Sequence, residues 1–119
     1  MVIETLTCSY DCEGQAREYT YRLIERDLNI EIDGDSQCIK AYGVKVESSG
    51  CDKEKDVQGI VEEFKYITPY KNKGSQFLHM LQRNMVSPIH LIDIAEEVVD
   101  EYYKDFDKEI NKRINTVTI

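Results

Sequence analysis

The 119-residue chain has no tryptophan, two histidines, two prolines and no apolar run longer than three residues. Such short runs exclude a transmembrane helix, which needs about 20 consecutive apolar residues, and they exclude the apolar core of a secretory signal peptide. A cytoplasmic protein with no membrane contact is the expectation. Basic residues are scarce as well: 15 Lys and Arg stand against 23 Asp and Glu, for a net charge of −8. Phosphate backbones are held by clustered Lys and Arg that release counterions, so neither nucleic acid nor an anionic membrane is an expected partner.

Catalytic signatures are missing too. There is no G-x-S-x-G, no Gly-rich loop and no phosphate-binding loop. No catalytic residue and no cofactor is therefore assigned. Cys8, Cys12, Cys38 and Cys51 are spaced C-x3-C, 25 residues, then C-x12-C. Zinc knuckles use C-x2-C spacing with histidines nearby, so no metal site is expected, and reduced free thiols are the default without an export signal. A redox pair of Cys8 and Cys12 is opposed by the acids Asp11 and Glu13 beside it. Asn29, Glu31 and Asp33 before Gly34 imitate the start of a calcium loop. The twelfth position is then Lys40, where a bidentate glutamate is needed, and the reading fails.

What is present is 41% hydrophobic residues in a length suited to one core. Residues 1–119 form a single domain in this reading, with 1–68 a β-meander. Val2, Leu6 and Cys8 lie in a first strand ended by Asp11-Cys12-Glu13-Gly14. Tyr19, Tyr21 and Leu23 alternate in a second, of about nine residues, with a turn expected near Arg26. Leu28, Ile30 and Ile32 form a short third piece before the Asp33-Gly34 turn. Ile39, Ala41, Gly43 and Val44 or Val46 continue to Ser48-Ser49-Gly50, with Gly43 marking a bulge or a close backbone approach. Asp52-Lys53-Glu54-Lys55-Asp56 reads as a solvated loop. Val57, Ile60, Val61, Phe64 and Ile67 have helical spacing but β-branched and aromatic content; a strand is preferred because the meander otherwise keeps a bare edge.

After a loop over 70–74, Phe77, Leu78, Leu81 and Met85 predict a short amphipathic helix over 75–84, with Asn84 as its left-handed end residue. Ser87 then serves as N-cap and Pro88 as first residue of a second helix, since proline's missing N–H costs nothing there. Leu91, Ile92, Ala95, Val98, Val99, Tyr102, Tyr103, Phe106 and Ile110 repeat at three and four, predicting a helix over 88–114. At 1.5 Å per residue it is about 40 Å long, so its end is expected to protrude.

Two groups of side chains are candidates for a site. Tyr102, Tyr103, Phe106, Ile110 and Ile114 continue the apolar stripe past the expected edge of the sheet, and tyrosine suits surfaces that are half buried and half wet. His79, Ser87 and His90 gather around the helical corner and offer a base and a hydroxyl for a small pocket. The bland reading assigns Ser87 to capping and His90 to a backbone hydrogen bond. Residues 69–90 hold three basic and no acidic residues, a basic island that suits an acidic partner, which includes the acidic half of another copy.

Tyr19-x-Tyr21-x-Leu23, Tyr42-Gly43-Val44-x-Val46, a strand ending at Ile67-x-Pro69, and Leu78-x-x-Leu81-x-x-Asn84-x-Val86-Ser87-Pro88-Ile89-His90-Leu91-x-Asp93 occur in that order. This pattern resembles a family of small uncharacterised proteins from spore-forming anaerobic bacteria over roughly residues 17–100, and most specifically in Asn84–Leu91. The resemblance implies no activity, substrate or catalytic residue. The chain past Asp100 runs beyond that family's usual end.

The combined expectation is an α+β protein: an antiparallel β-meander of about four to five strands, then a short helix and a long C-terminal amphipathic helix. It acts as a non-enzymatic interaction or regulatory protein that binds a protein partner or itself, as a homodimer, through that helix. The alternatives are a small-molecule binder or small enzyme at the corner near His79 and His90, and a cysteine zinc site.

Overall fold

The computed structural model describes residues 1–12, 14–49 and 59–117. Four strands, β1 (Val2–Cys12), β2 (Gln15–Ile32), β3 (Asp35–Ser49) and β4 (Val61–Thr68), form one antiparallel sheet in chain order. Helix α1 (Lys71–Arg83), a 3-10 turn (Pro88–His90) and helix α2 (Leu91–Val117) follow. The α+β meander with a short and a long helix is therefore present, and the 61–68 segment is a strand as expected. Val57 and the Asp52–Asp56 loop lie outside the described residues.

The expected turn near Arg26 is absent. β2 pairs with β3 without interruption from Glu18 opposite Ser49 to Ile32 opposite Asp35. The apolar residues change phase, from odd positions at Tyr19, Tyr21 and Leu23 to even ones at Leu28 and Ile30. That change marks a switch of sheet face rather than a bend. Near Tyr21 and Leu23 the helices cover one face; further on, Ile24, Ile39 and Ala41 are buried on the other. Arg26 spans that second face to Glu63 and to the Lys65 carbonyl. β1 reaches only to Met1 opposite Glu25, and β4 only to Thr68 opposite Tyr42. Residues 26–41 therefore continue as a two-stranded ribbon, and the molecule measures 64 × 23 × 21 Å.

The β3–β4 register slips between Tyr42 and Val44, and Gly43 sits at the slip. A Cβ there would overlap the carbonyl oxygens of Lys65 and Phe64. Gly43 thus meets both halves of its sequence reading: an irregular pairing and a crossing backbone.

α1 begins at Lys71, four residues before Ser75, because Gly74 is a helical residue and not part of a loop. A Cβ on it would meet Leu23 Cδ1 at 3.0 Å and Tyr42 Cβ at 3.2 Å. Glycine here lets the first turn of the helix lie directly on the sheet. At the other end Met85, with φ 50°, takes the left-handed position expected of Asn84. The N–H of Met85 bonds to the Gln82 carbonyl and that of Val86 to the Leu81 carbonyl. This is a Schellman closure, with Val86 as its apolar partner. The Asn84 amide donates instead to the Met80 carbonyl at 2.9 Å, so its side chain closes the helix without a positive φ.

Ser87 caps as expected: its Oγ accepts from Ile89 N, and Pro88 occupies the first position of the turn into α2. The core lies between one sheet face and this helical corner, with Tyr21, Leu23, Val44 and Val46 below and Phe77, Leu78, Leu81, Leu91 and Ala95 above. No helix among the described residues is long and apolar enough to cross a membrane.

Candidate functional site

The corner brings β1, β2 and the two helices together, and its polar atoms are coupled. Tyr21 is fully buried, and its hydroxyl donates to the Val86 carbonyl at 2.9 Å. Cys8 Sγ lies 3.5 Å from the Tyr21 hydroxyl oxygen. Burial, reinforced by the Cys8 thiol, drives the Tyr21 phenol far above its ordinary range, so it stays neutral at any physiological pH. Tyr19 stacks on Tyr10 with centroids 4.7 Å apart and meets Tyr21 edge-on at 6.3 Å. Burial and the neighbouring Tyr10 hydroxyl raise the Tyr19 phenol as well, while a hydrogen bond with Ser87 works in the opposite direction. The Ser87 hydroxyl is fixed by its N-cap bond from Ile89 N. The His90 backbone N–H donates to the Ser87 carbonyl at 3.0 Å.

His79 is elsewhere on α1, one turn from Ser75, and both reach the Glu4 carboxylate of β1. Ser75 Oγ donates to Oε1 at 2.7 Å, and His79 Nε2 lies 2.8 Å from Oε2. The group contains a serine, a histidine and an acid, but the acid sits in the middle. The serine points at the carboxylate and not at the imidazole, so it cannot be activated as a nucleophile by that base. Its role is to fasten α1 to β1. His90 is exposed in the 3-10 turn. The three corner residues read from the sequence are therefore not brought into one constellation; Ser87 joins the tyrosines and His79 joins Glu4.

The Glu4 clasp has a pH signature. The Ser75 hydroxyl, with help from His79, holds the Glu4 carboxyl below its ordinary range. A depressed folded-state value means stabilisation that is complete above the unfolded pKa, about 4.3, and is lost as pH falls through the folded value. The stability gap between the native chain and Glu4→Gln should be present at neutral pH and close as the pH falls below the ordinary carboxylate range. Urea midpoints measured across that range check it; a gap that widens in acid contradicts the assignment.

The α2 stripe is only partly free. Phe106 is buried, Tyr102 packs against the core, and Ile110 is half-buried. Tyr103 is open, at 47% exposure, with its ring 6.2 Å from Phe106. The Ile114 side chain lies outside the described residues. α2 packs along β4, and two polar bonds tie its far half to the start of α1 and the residue before it: Lys73 Nζ reaches Asp105 Oδ2 at 2.6 Å, and the Tyr70 hydroxyl reaches Glu109 at 3.0 Å. Lys73 and Tyr70, read from the sequence as loop residues, are the anchors for the far half of α2.

Among the described residues no group of three or more His, Cys, Asp or Glu is placed to hold a metal ion. Cys8 lies opposite Tyr19, which pairs with Ser48, whereas Cys38 pairs with Asn29 ten residues further along β3. At about 3.3 Å per strand residue that separates the two thiols by roughly 30 Å. They cannot share one ion. The Cys12 side chain and Cys51 lie outside the described residues.

A family model described as a family of unknown function (DUF6514) matches residues 1–101. The chain belongs to that family. The match takes in the whole sheet, α1, the corner and the first eleven residues of α2, ending just before Tyr102. No curated protein and no solved structure matches the chain. The matched residues thus take in this chain's corner network and Glu4 clasp, while Tyr102, Tyr103, Phe106 and Ile110 lie past them. The signals missed in the sequence were Cys8, Tyr10, Tyr19 and Tyr21 as one cluster, and Glu4 as the partner of His79. All depend on contacts between distant segments, which spacing does not reveal.

Proposed function

We propose that the chain is a non-enzymatic interaction protein that engages a protein partner, a second copy included, through the outer side of α2 beyond residue 101. The observation that carries this reading is the course of the apolar stripe. It leaves the core at Phe106, stays half-buried at Tyr102 and Ile110, and opens at Tyr103. Exposed tyrosine beside a buried aromatic offers a large contact area at little entropic cost. The polar groups that could do chemistry are meanwhile engaged in joining elements: Glu4 with Ser75 and His79, Tyr21 with Val86, and Lys73 with Asp105.

The test keeps the anchors intact. Light scattering at tens of micromolar compares the full chain, Tyr103→Glu, and a chain ending after Glu109, which retains Asp105, Phe106 and the Tyr70 contact. The self-associating form of the reading expects a mass above the monomer for the full chain and a fall towards the monomer in both variants. Tyr103 is exposed, so its substitution should change the unfolding free energy by no more than about 0.5 kcal/mol. A full chain that is monomeric, or an association indifferent to both changes, removes self-association through α2.

A further inference from the structure

A second surface, on the opposite side of the sheet from α2's attachment to β4, is built for pairing. β1 is an edge strand, and among the described residues no strand pairs with its outer side. It closes its hairpin with Cys12 opposite Gln15. In a hairpin closed in this way the end pair exchanges both backbone bonds and the pattern then alternates. Even-numbered residues therefore bond inward to β2, and Thr5, Thr7, Ser9 and Asp11 turn their N–H and C=O groups outward. One contact bears this out independently: the Thr7 carbonyl accepts a side-chain donor, Gln82 Nε2, at 2.9 Å.

Edge strands are normally blunted by lysine, proline, bulges or a covering element. Between residues 4 and 12 β1 contains no Lys, Arg or Pro, and its register irregularity is confined to Val2–Glu4. Gln82 over Thr7 is the guard the structure shows.

We propose that β1 pairs antiparallel with β1 of a second copy about a two-fold axis at Thr7, joining the two sheets edge to edge. The side chains fit this occupant. With Thr7 opposite itself, Thr5 faces Ser9 on the uncovered sheet face, and Leu6 faces Cys8 on the helix-covered one. Hydroxyl residues and apolar residues each meet their own kind. The acids stay apart: Glu4 is on the helix-covered face and Asp11 on the other, so they never stand opposite one another in any antiparallel register. Glu4 faces Tyr10, and Asp11 faces Ile3. The outward groups of Thr5, Thr7 and Ser9 meet outward groups of the partner, as a continuous ladder requires. In the pair, the Thr7 carbonyl exchanges Gln82 for the amide of the other copy's Thr7. Gln82 is thus a competitor whose removal favours association. This surface is separate from α2, and its test separates the two readings.

Sedimentation velocity on the full chain, from micromolar to submillimolar concentration, should show the mass rising from 13.9 kDa towards twice that value. Gln82→Ala frees one carbonyl on each copy and should dimerise at about tenfold lower concentration, the effect of two hydrogen bonds of modest net strength. Thr7→Pro removes an outward N–H without touching the β1–β2 ladder and should stay monomeric. Should the proline disturb folding by circular dichroism, Thr5→Lys with Ser9→Lys decides, because both side chains are exposed and the pairing would set lysine against lysine. Tyr103→Glu acts on α2 alone, so when it is added to Gln82→Ala or Thr7→Pro, the gain of the first and the loss of the second should both persist. The proposal is overturned if the native chain and Gln82→Ala are both monomeric throughout, or if the double-lysine variant dimerises as well as the native chain.

Discussion

Gly43→Ala should destabilise the protein by about 3 kcal/mol or more, far beyond the cost of adding a methyl group at an ordinary strand position. The new Cβ would overlap the carbonyl oxygens of Lys65 and Phe64, which are backbone atoms and cannot rotate aside. Relief requires β4 to lift from β3 at the register slip between Tyr42 and Val44. The neighbouring pairs, Val44 with Phe64 and Tyr42 with Thr68, would be strained together, and Val44, Tyr42 and Thr68 are buried. Gly74→Ala is the control. Its Cβ presses on the Leu23 and Tyr42 side chains at 3.0 and 3.2 Å, and alanine gains about 1 kcal/mol of helix propensity over glycine. The two effects oppose, so this variant should lie within about 1 kcal/mol of the native chain. Urea unfolding of both variants reads the contrast; equal midpoints would mean that β4 does not cross Gly43 as described.

Gly43 and Gly74 also show why some parts of the fold could be read from the sequence and others could not. A glycine between Tyr42 and Val44 interrupts an apolar alternation, and that local irregularity correctly predicted a close backbone. Gly74 follows Lys71-Asn72-Lys73, where composition alone resembles a loop. Only the proximity of Leu23 and Tyr42, distant in the chain, explains a glycine inside a helix. The corner was readable for a similar reason: Ser87 and Pro88 act on their own next few residues. Met85 was not, because a left-handed methionine is selected by the Schellman bonds to Leu81 and Gln82 and not by its own preference. The phase change between Leu23 and Leu28 carries real information about burial but reads locally as a turn, since nothing local says which face of a ribbon will be covered. The candidate site follows the same division. The α2 stripe is visible as a periodicity, but the anchoring of its far half depends on Lys73 and Tyr70 reaching Asp105 and Glu109 across more than thirty residues.

That anchoring leads to the second large effect. Lys73→Met should destabilise the protein strongly, and Asp105→Asn distinctly less. Asp105 is 3% exposed, an uncommon place for a carboxylate, whereas the Lys73 side chain is 39% exposed. Removing the lysine strands a buried negative charge. Removing the acid leaves an ammonium that can turn to water, with the faces of Tyr70 and Tyr102 still 5.5 and 5.8 Å from it. The asymmetry follows from where each charge sits and not from the strength of their attraction. Lys73→Met combined with Asp105→Leu should recover most of the loss, since an apolar pair of similar volume avoids the desolvation of both charges. Chemical denaturation of the four chains reads the energies, and backbone hydrogen exchange reads their location. In Lys73→Met the amides of residues 102–110 should exchange sooner while those around Leu91 and Ala95, held by the core, change little. Uniform acceleration along α2 would show instead that the helix is fixed as one body and that Lys73 is not the anchor of its far half.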